Sequence, residues 1–308
     1  YNYFLIMNKA KAIILLFRLP FLLVTVGAVC VGTAFAWYSS GLFDPVLFFL
    51  ALLGACFLHI ACNVGNDYFD FRSGGDLLNR NAIAPFSGGS RMILEGFVKP
   101  GQALALSLLF AALGSAIGLY LNAILRGNVI LFIGLGALFL VYNYNGAPVR
   151  LVNWGVGEVG IFLAWGPLMV LGAYYVQAQK FSSFWPLVAA IPSGILTTLV
   201  LLINEFADKE ADLASGRRTW VILFGYDKSL RIYLGLALSC YLVVALGVIF
   251  GGWPLFSLLV FLTCPLPFLA YKIGKKNMGN WPAFLPAVKT TILMNFVFSA
   301  ILSLSFVL

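Results

Sequence analysis

Apolar residues run through this chain in stretches of roughly 17–25 residues, the length at which a helix crosses the hydrocarbon core of a bilayer. The stretches lie near 16–38, 45–68, 100–121, 128–144, 157–177, 185–206, 230–250, 252–272 and 284–307, with the seventh and eighth divided at "GGWP", 251–254. Only 10% of the 308 residues are charged, whereas soluble domains average about 25%. A soluble fold is excluded. The expectation is an all-α membrane protein of about nine transmembrane helices around a central cavity, a single domain over 1–308.

Cationic residues set the orientation, because short cytoplasmic loops carry an excess of Lys and Arg. The amino terminus and the loops after the second, fourth, sixth and eighth spans hold Lys9, Lys11, Arg72, Arg80, Arg91, Lys99, Arg150, Lys209, Arg217, Arg218, Lys228, Lys272, Lys275 and Lys276, while the opposite loops hold Arg126 and Lys180. The first set is therefore cytoplasmic, in an integral protein of the cell membrane. Topology plus anionic ligands accounts for the net charge of +8, and nucleic acid is not an expected partner for loops this short. "AFA" at 34–36 resembles a signal cleavage site, but the apolar run before it is about twice the usual core length, so an uncleaved first span is expected. Met7 is a candidate natural start. Cys30, Cys56, Cys62, Cys240 and Cys264 lie in apolar spans without metal-ligand spacing and read as packing residues.

Ten of the eleven acidic residues fall in or beside the cytoplasmic segments. Seven of them form two clusters, "NVGNDYFDFRSGGD" at 63–76 and "NEFADKEAD" at 204–212. On a helix, residues three, four and seven apart share a face, so Asn63, Asn66, Asp67 and Asp70 line one side of the first segment. Asn204, Asp208 and Asp212 repeat the device in the second. The clusters close the second and sixth spans, which suggests a four-helix parallel pseudo-repeat plus one helix, related by an axis along the membrane normal. Each cluster then faces its partner across the cavity. The cytoplasmic connections 71–99 and 209–229 are long, as functional lid loops are, and "SGG" at 73–75 and "PFSGGSR" at 85–91 give the first of them freedom to approach a ligand closely.

Hard divalent cations such as magnesium take oxygen ligands, usually one or two carboxylates completed by substrate phosphate and water. Asn66 with Asp70, and Asn204 with Asp208 and Asp212, supply such a partial set, so a phosphate substrate is implied. Arg72, Arg91, Arg150, Arg217 and Arg218 can complete a cationic ring about a leaving group, and Lys209 lies in the same polar segment. His59 sits one turn before Asn63 and reads as an interior histidine. Matched spacing at two places disfavours ordinary solvated helix ends, since charge within hydrocarbon costs about 2.5–3.5 kcal/mol on insertion scales.

The phrases "NDYFDFRSGGD", "PFSGGSR", "YNGAPVR" and "NEFADKEADLASGRRT", with the paired Asp-rich segments and nine spans, resemble the UbiA superfamily of intramembrane prenyltransferases. Within it they most resemble the branch that prenylates 1,4-dihydroxy-2-naphthoate for menaquinone. The resemblance implies that Asn66, Asp70, Asp208 and Asp212 bind two magnesium ions gripping a prenyl diphosphate. Asp70, Asp208, Asp212, Arg72 and Arg150 would be catalytic, and Asn63, Asp67, Arg91, Tyr144, Asn204, Lys209, Arg217 and Arg218 would bind substrate. Many relatives place an Asp four residues after the position of Asp70; here Gly74 stands there, and Asp76, two later, is set apart from the direct ligands. The implied mechanism ionises the diphosphate to an allylic cation, shielded by aromatic walls such as Tyr68, Phe69, Tyr142, Tyr144, Phe162 and Trp165, and an electron-rich aromatic or other hydrophobic acceptor attacks it. Transfer to a glycerol phosphate ether or another quinone precursor keeps the same chemistry. A cation-coupled transporter is the alternative from a different class, and the Asp-Gly-x-x-Ala-Arg pattern of CDP-alcohol phosphotransferases is absent from the sequence.

Overall fold

A computed structural model describes residues 9–79, 81–83, 86–125, 127–146 and 148–308. Met7, Arg80 and Arg126, used above for the start and the charge asymmetry, lie outside the described residues. Helices carry the described chain: α1 (Lys9–Ser40), α2 (Pro45–Ser73), α3 (Pro100–Ile124), α4 (Val129–Asn145), α5 (Gly157–Ala178), α6 (Trp185–Ala214), α7 (Trp220–Gly251), α8 (Leu255–Lys276) and α9 (Trp281–Val307). Among the described residues, eight are long and apolar enough to cross a membrane. The ninth expected span, α4, has 17 residues, about 26 Å of helix at the usual rise.

Two of the expected boundaries move. α6 runs on to Ala214 and α7 starts at Trp220, so the lid loop expected over 209–229 is mostly helix and only residues 215–219 connect the two. Amphipathic packing explains the extension, because Ala211 and Asp212 are buried while Leu213 and Ala214 are exposed. α7 likewise begins ten residues earlier than its apolar run, with a break at Gly225, whose φ of 75° suits a residue without a side chain.

The pseudo-repeat is visible in the packing. α2 lies along α3 as α6 lies along α7, and α9 closes the bundle against α1. α6 is the central helix, with 78% of its most apolar window buried against 11% for the peripheral α3. It approaches α5 closely where both are stripped to glycine. A Cβ on Gly194 would come within 2.7 Å of the Phe162 carbonyl oxygen, and one on Gly166 within 2.9 Å of that of Ala190. Beside this contact Pro167 lacks a backbone donor, and α5 widens into a π-helical turn over Ala164–Leu168.

α1 is broken near its start. Arg18 adopts a left-handed conformation at φ 51°, followed by a 3-10 turn over Leu19–Phe21 that contains Pro20. At the opposite end of the bundle, Asp44 caps α2 by accepting from the Val46 and Leu47 amides at 2.8 and 3.1 Å. That role accounts for the one acid that lies outside the segments read as cytoplasmic.

Candidate active site

α2 and α6 end side by side, and their last three turns wall a cavity of about 170 Å³. Asn63, Asn66 and Asp70 reach it from α2, and Asn204, Glu205, Asp208 and Asp212 from α6. The spacing that puts these residues on one helical face also leaves one of them behind. Asp67 is turned toward α1, where it pairs with Arg18 and accepts from the Ser90 amide at 3.1 Å and from the Ser90 hydroxyl. Asn63 supports the same junction by donating to the Phe17 carbonyl at 3.1 Å.

Arg217, in the connection after α6, links the two motifs. Its guanidinium pairs with Asp70 and donates to Asp212 at 3.0 Å. Burial works against its charge, yet Asp70 and Asp212 hold its pKa above the ordinary guanidinium value. Asn145, at the end of α4, donates to Asn66 at 3.3 Å and to Asp70 at 3.2 Å. Asp208 accepts from the Asn79 side chain at 2.6 Å and from the Gly88 amide at 3.1 Å. The loop at 86–91 therefore fastens both motifs, through Ser90 to Asp67 and through Gly88 to Asp208. Gly88 has φ 65°, and a Cβ there would lie 2.7 Å from Asn79 Nδ2. Asp76 sits below, buried; burial first, then Asp70 and Asp67, push its carboxyl up to about 8.

The remaining expected residues are distributed around this centre. Arg72 and Arg150 line a separate cleft on the outer side of Asp70, together with Arg217 and Asn145. Arg91 donates to the Asn79 carbonyl at 3.0 Å and faces Glu95 at 3.6 Å. Lys209 is turned away from the cavity, with its ammonium 4.1 Å from the centre of the Tyr226 ring. Arg218 is exposed, and its backbone amide donates to the Val152 carbonyl at 2.9 Å. Of the six aromatic wall residues expected, Tyr144 and Trp165 line the main cavity, Tyr68 and Phe69 line the outer cleft, Tyr142 is exposed and Phe162 packs against Gly194.

Sequence reasoning missed Arg18, Asn79, Asn145 and Glu205 as cavity residues. Arg18 and Asn79 sit at irregular backbone that periodicity does not read. Asn145 and Glu205 carried a signal, a polar side chain beside an apolar run in a segment already singled out.

The cavity's unpartnered acceptor atoms are all oxygen. Asn145 Oδ1, Asn204 Oδ1, both Glu205 carboxyl oxygens and Thr219 Oγ1 are buried without a hydrogen-bond partner, and all four residues line the cavity. Among the described residues, no three His, Cys, Asp or Glu side chains gather closely enough to hold a metal by themselves, because Arg217 lies between Asp70 and Asp212. Such a set fits a hard cation shared with an anionic ligand better than a closed protein cage.

His59 and Trp165 form the cavity's inner wall. His59 Nδ1 and Thr25 Oγ1 lie 2.7 Å apart, Trp165 Nε1 donates to the same hydroxyl at 3.0 Å, and the two rings meet edge to face with centroids 4.9 Å apart. Both residues also line a second cavity of about 140 Å³, walled by aliphatic side chains and glycines of α2, α3, α4 and α5. A polar chamber and an apolar one thus share one aromatic partition.

The UbiA prenyltransferase family matches residues 24–298. A 2-carboxy-1,4-naphthoquinone phytyltransferase of Synechocystis sp. is 30% identical over 80% of this chain and 76% of its own. A 1,4-dihydroxy-2-naphthoate octaprenyltransferase of Escherichia coli is 30% identical over 88% of each. Among solved structures, an apo UbiA homolog from Aeropyrum pernix K1 shares the fold at a TM-score of 0.68 and 17% identity, covering 93% of this chain and 96% of that one. A UbiA homolog from Archaeoglobus fulgidus bound to GPP and Mg2+ does so at 0.61 and 17%, covering 94% and 99%.

Proposed function

This chain belongs to the UbiA prenyltransferase family and is a prenyltransferase, and on that premise we propose that it transfers a polyprenyl group from a prenyl diphosphate to a hydroxynaphthoate in menaquinone synthesis. One observation carries the reading: two acidic helix ends meet over a single chamber, which adjoins an apolar chamber across His59 and Trp165. The relatives that act on naphthoate or naphthoquinone support the acceptor class.

Asn66, Asp70, Asp208 and Asp212 would hold two magnesium ions together with the diphosphate. Magnesium, when bound, supplies Lewis-acid stabilisation of the charge that grows on the departing diphosphate. Arg217 stands beside Asp70 and Asp212 as an additional cation for the same oxygens, and Asn145 orients the Asn66 and Asp70 side chains. Arg72 and Arg150, in the outer cleft, fit a role in attracting the anionic substrate. The isoprenoid tail lies in the apolar chamber, and the Trp165 and Tyr144 rings offer π faces to the allylic cation and keep water from it. The Lys and Arg excess at the motif-bearing end supports an active site that faces the cytoplasm across the cell membrane.

The transporter alternative is not supported. The charged groups lie at the helix ends rather than at mid-membrane, and the family is one of prenyltransferases. Incubating the purified protein with geranylgeranyl diphosphate, MgCl2 and either 1,4-dihydroxy-2-naphthoate or geranylgeranylglyceryl phosphate tests the proposal. A prenylated naphthalene product supports it, and transfer to the glycerol phosphate alone overturns the acceptor assignment.

A further inference from the structure

Glu205 has no task in the account above. It lines the main chamber at 4% exposure, and neither of its carboxyl oxygens has a hydrogen-bond partner. Leaving a buried carboxyl unpaired is costly, so a ligand that pairs with it is to be expected. Glu158 lies beside it and is itself engaged, accepting from the Trp220 amide at the start of α7. Thr219, at the same helix start, adds an unpartnered buried hydroxyl to the same wall.

Position restricts what the ligand is. Glu205 precedes Asp208 by three residues and Asp212 by seven on the same face of α6, so it sits about 4.5 Å deeper than Asp208 along the helix. The diphosphate belongs at the level of the aspartates, and the isoprenoid tail leaves across His59 and Trp165. The reacting carbon between them therefore lies at the depth of Glu205. The Glu205 carboxyl takes a hydrogen-bonding group of the ligand at this depth. A hydroxyl suits it in any protonation state, being donor and acceptor at once.

Resting on the function proposed above, we propose that Glu205 is the acceptor-contacting residue, its free carboxyl oxygens holding a phenolic hydroxyl of the aromatic acceptor so that the ring faces the prenyl carbon. The C–O bond to diphosphate breaks with its electron pair on the departing oxygen, and a ring carbon supplies the pair for the new C–C bond. Aromaticity returns when that carbon loses carbon dioxide from a carboxylate, or otherwise a proton to water. The phenolic hydrogen stays on its oxygen, in its bond to Glu205.

The test compares wild type with Glu205→Leu, which keeps much of the side-chain volume and can make no hydrogen bond, using geranylgeranyl diphosphate, MgCl2 and 1,4-dihydroxy-2-naphthoate. The expected result is an acceptor KM raised about tenfold or more, as for a lost hydrogen bond to substrate. The KM for the diphosphate and the half-saturating magnesium concentration stay at their wild-type values, which a general structural defect would not spare. An unchanged acceptor KM, or a shift in magnesium dependence instead, overturns the assignment while leaving the prenyltransfer reading intact. A wild-type enzyme that prenylates no phenolic acceptor overturns both. Should Glu205→Leu fail to bind prenyl diphosphate, the wild type is compared on the free phenol and its two mono-O-methyl ethers. At least one ether is expected to lose about tenfold in kcat/KM, and equal use of all three overturns the assignment.

Discussion

Arg217 pairs with Asp70 across 147 positions of chain, bringing the connection after the second acidic motif against the side chain that ends the first. The same guanidinium donates to Asp212. The site therefore carries a counter-charge of its own, held on a five-residue connection between two long helices.

Removing that charge leaves Asp70 and Asp212 buried near one another without compensation, which is strongly destabilising for buried pairs. Arg217→Gln is expected to lower the unfolding temperature of the metal-free protein in detergent, and magnesium is expected to raise it more in the variant than in wild type. Thermal unfolding with and without MgCl2 checks this; equal magnesium shifts in both proteins contradict it.

The aspartates themselves are expected to govern turnover rather than folding. Asp70→Asn and Asp208→Asn keep the side-chain volume and lose the charge, and kcat/KM for prenyl transfer is expected to fall by about 10²-fold or more. Normal turnover of either purified variant removes that residue from the site.

Asp76 makes the metal-free protein sensitive to pH. Its carboxyl is held up to about 8, by burial first and then by Asp70 and Asp67, so the folded state binds a proton that the unfolded chain has lost. That contribution is fully present below the ordinary carboxylate value and is lost as pH rises through about 8. Asp76→Asn should flatten the decline of unfolding temperature between those limits, and an unchanged slope would exclude Asp76 as its source.

Helix contact is the fourth quantity open to test. Because a Cβ on Gly194 meets the Phe162 carbonyl oxygen at 2.7 Å, Gly194→Ala forces α5 away from α6. Overpacking of this kind typically costs about 1–3 kcal/mol. A clear drop in unfolding temperature is expected, whereas Gly101→Ala, which meets no atom within 4 Å, serves as the control.

Much of this arrangement is legible in the residues. The apolar runs locate the helices, and the matched Asn and Asp spacing of 66–70 and 204–208 identifies the two helix ends that meet. Periodicity assigns Asp67 to the same face as Asp70, but it does not see Arg18, whose left-handed backbone swings a cation under α2 and draws Asp67 out of the chamber. Polarity also misleads at 209–229. Charged residues there suggest a loop, yet Glu210, Asp227 and Lys228 occupy the outer face of helices whose inner face carries Ala211, Asp212 and Val221. Asn79 and Gly88 reach Asp208 from irregular backbone, where no sequence period exists to place them.

The partition formed by His59 and Trp165 separates two kinds of selectivity. On the proposed function, residues that measure the length of a hydrocarbon tail would stand on one side of it, and residues that recognise the head group and its partner on the other. Substitutions at Gly118, Gly134 or Leu168 are then expected to retune the first without disturbing the second, so a scaffold of this design can diversify its isoprenoid donors while its reaction stays fixed.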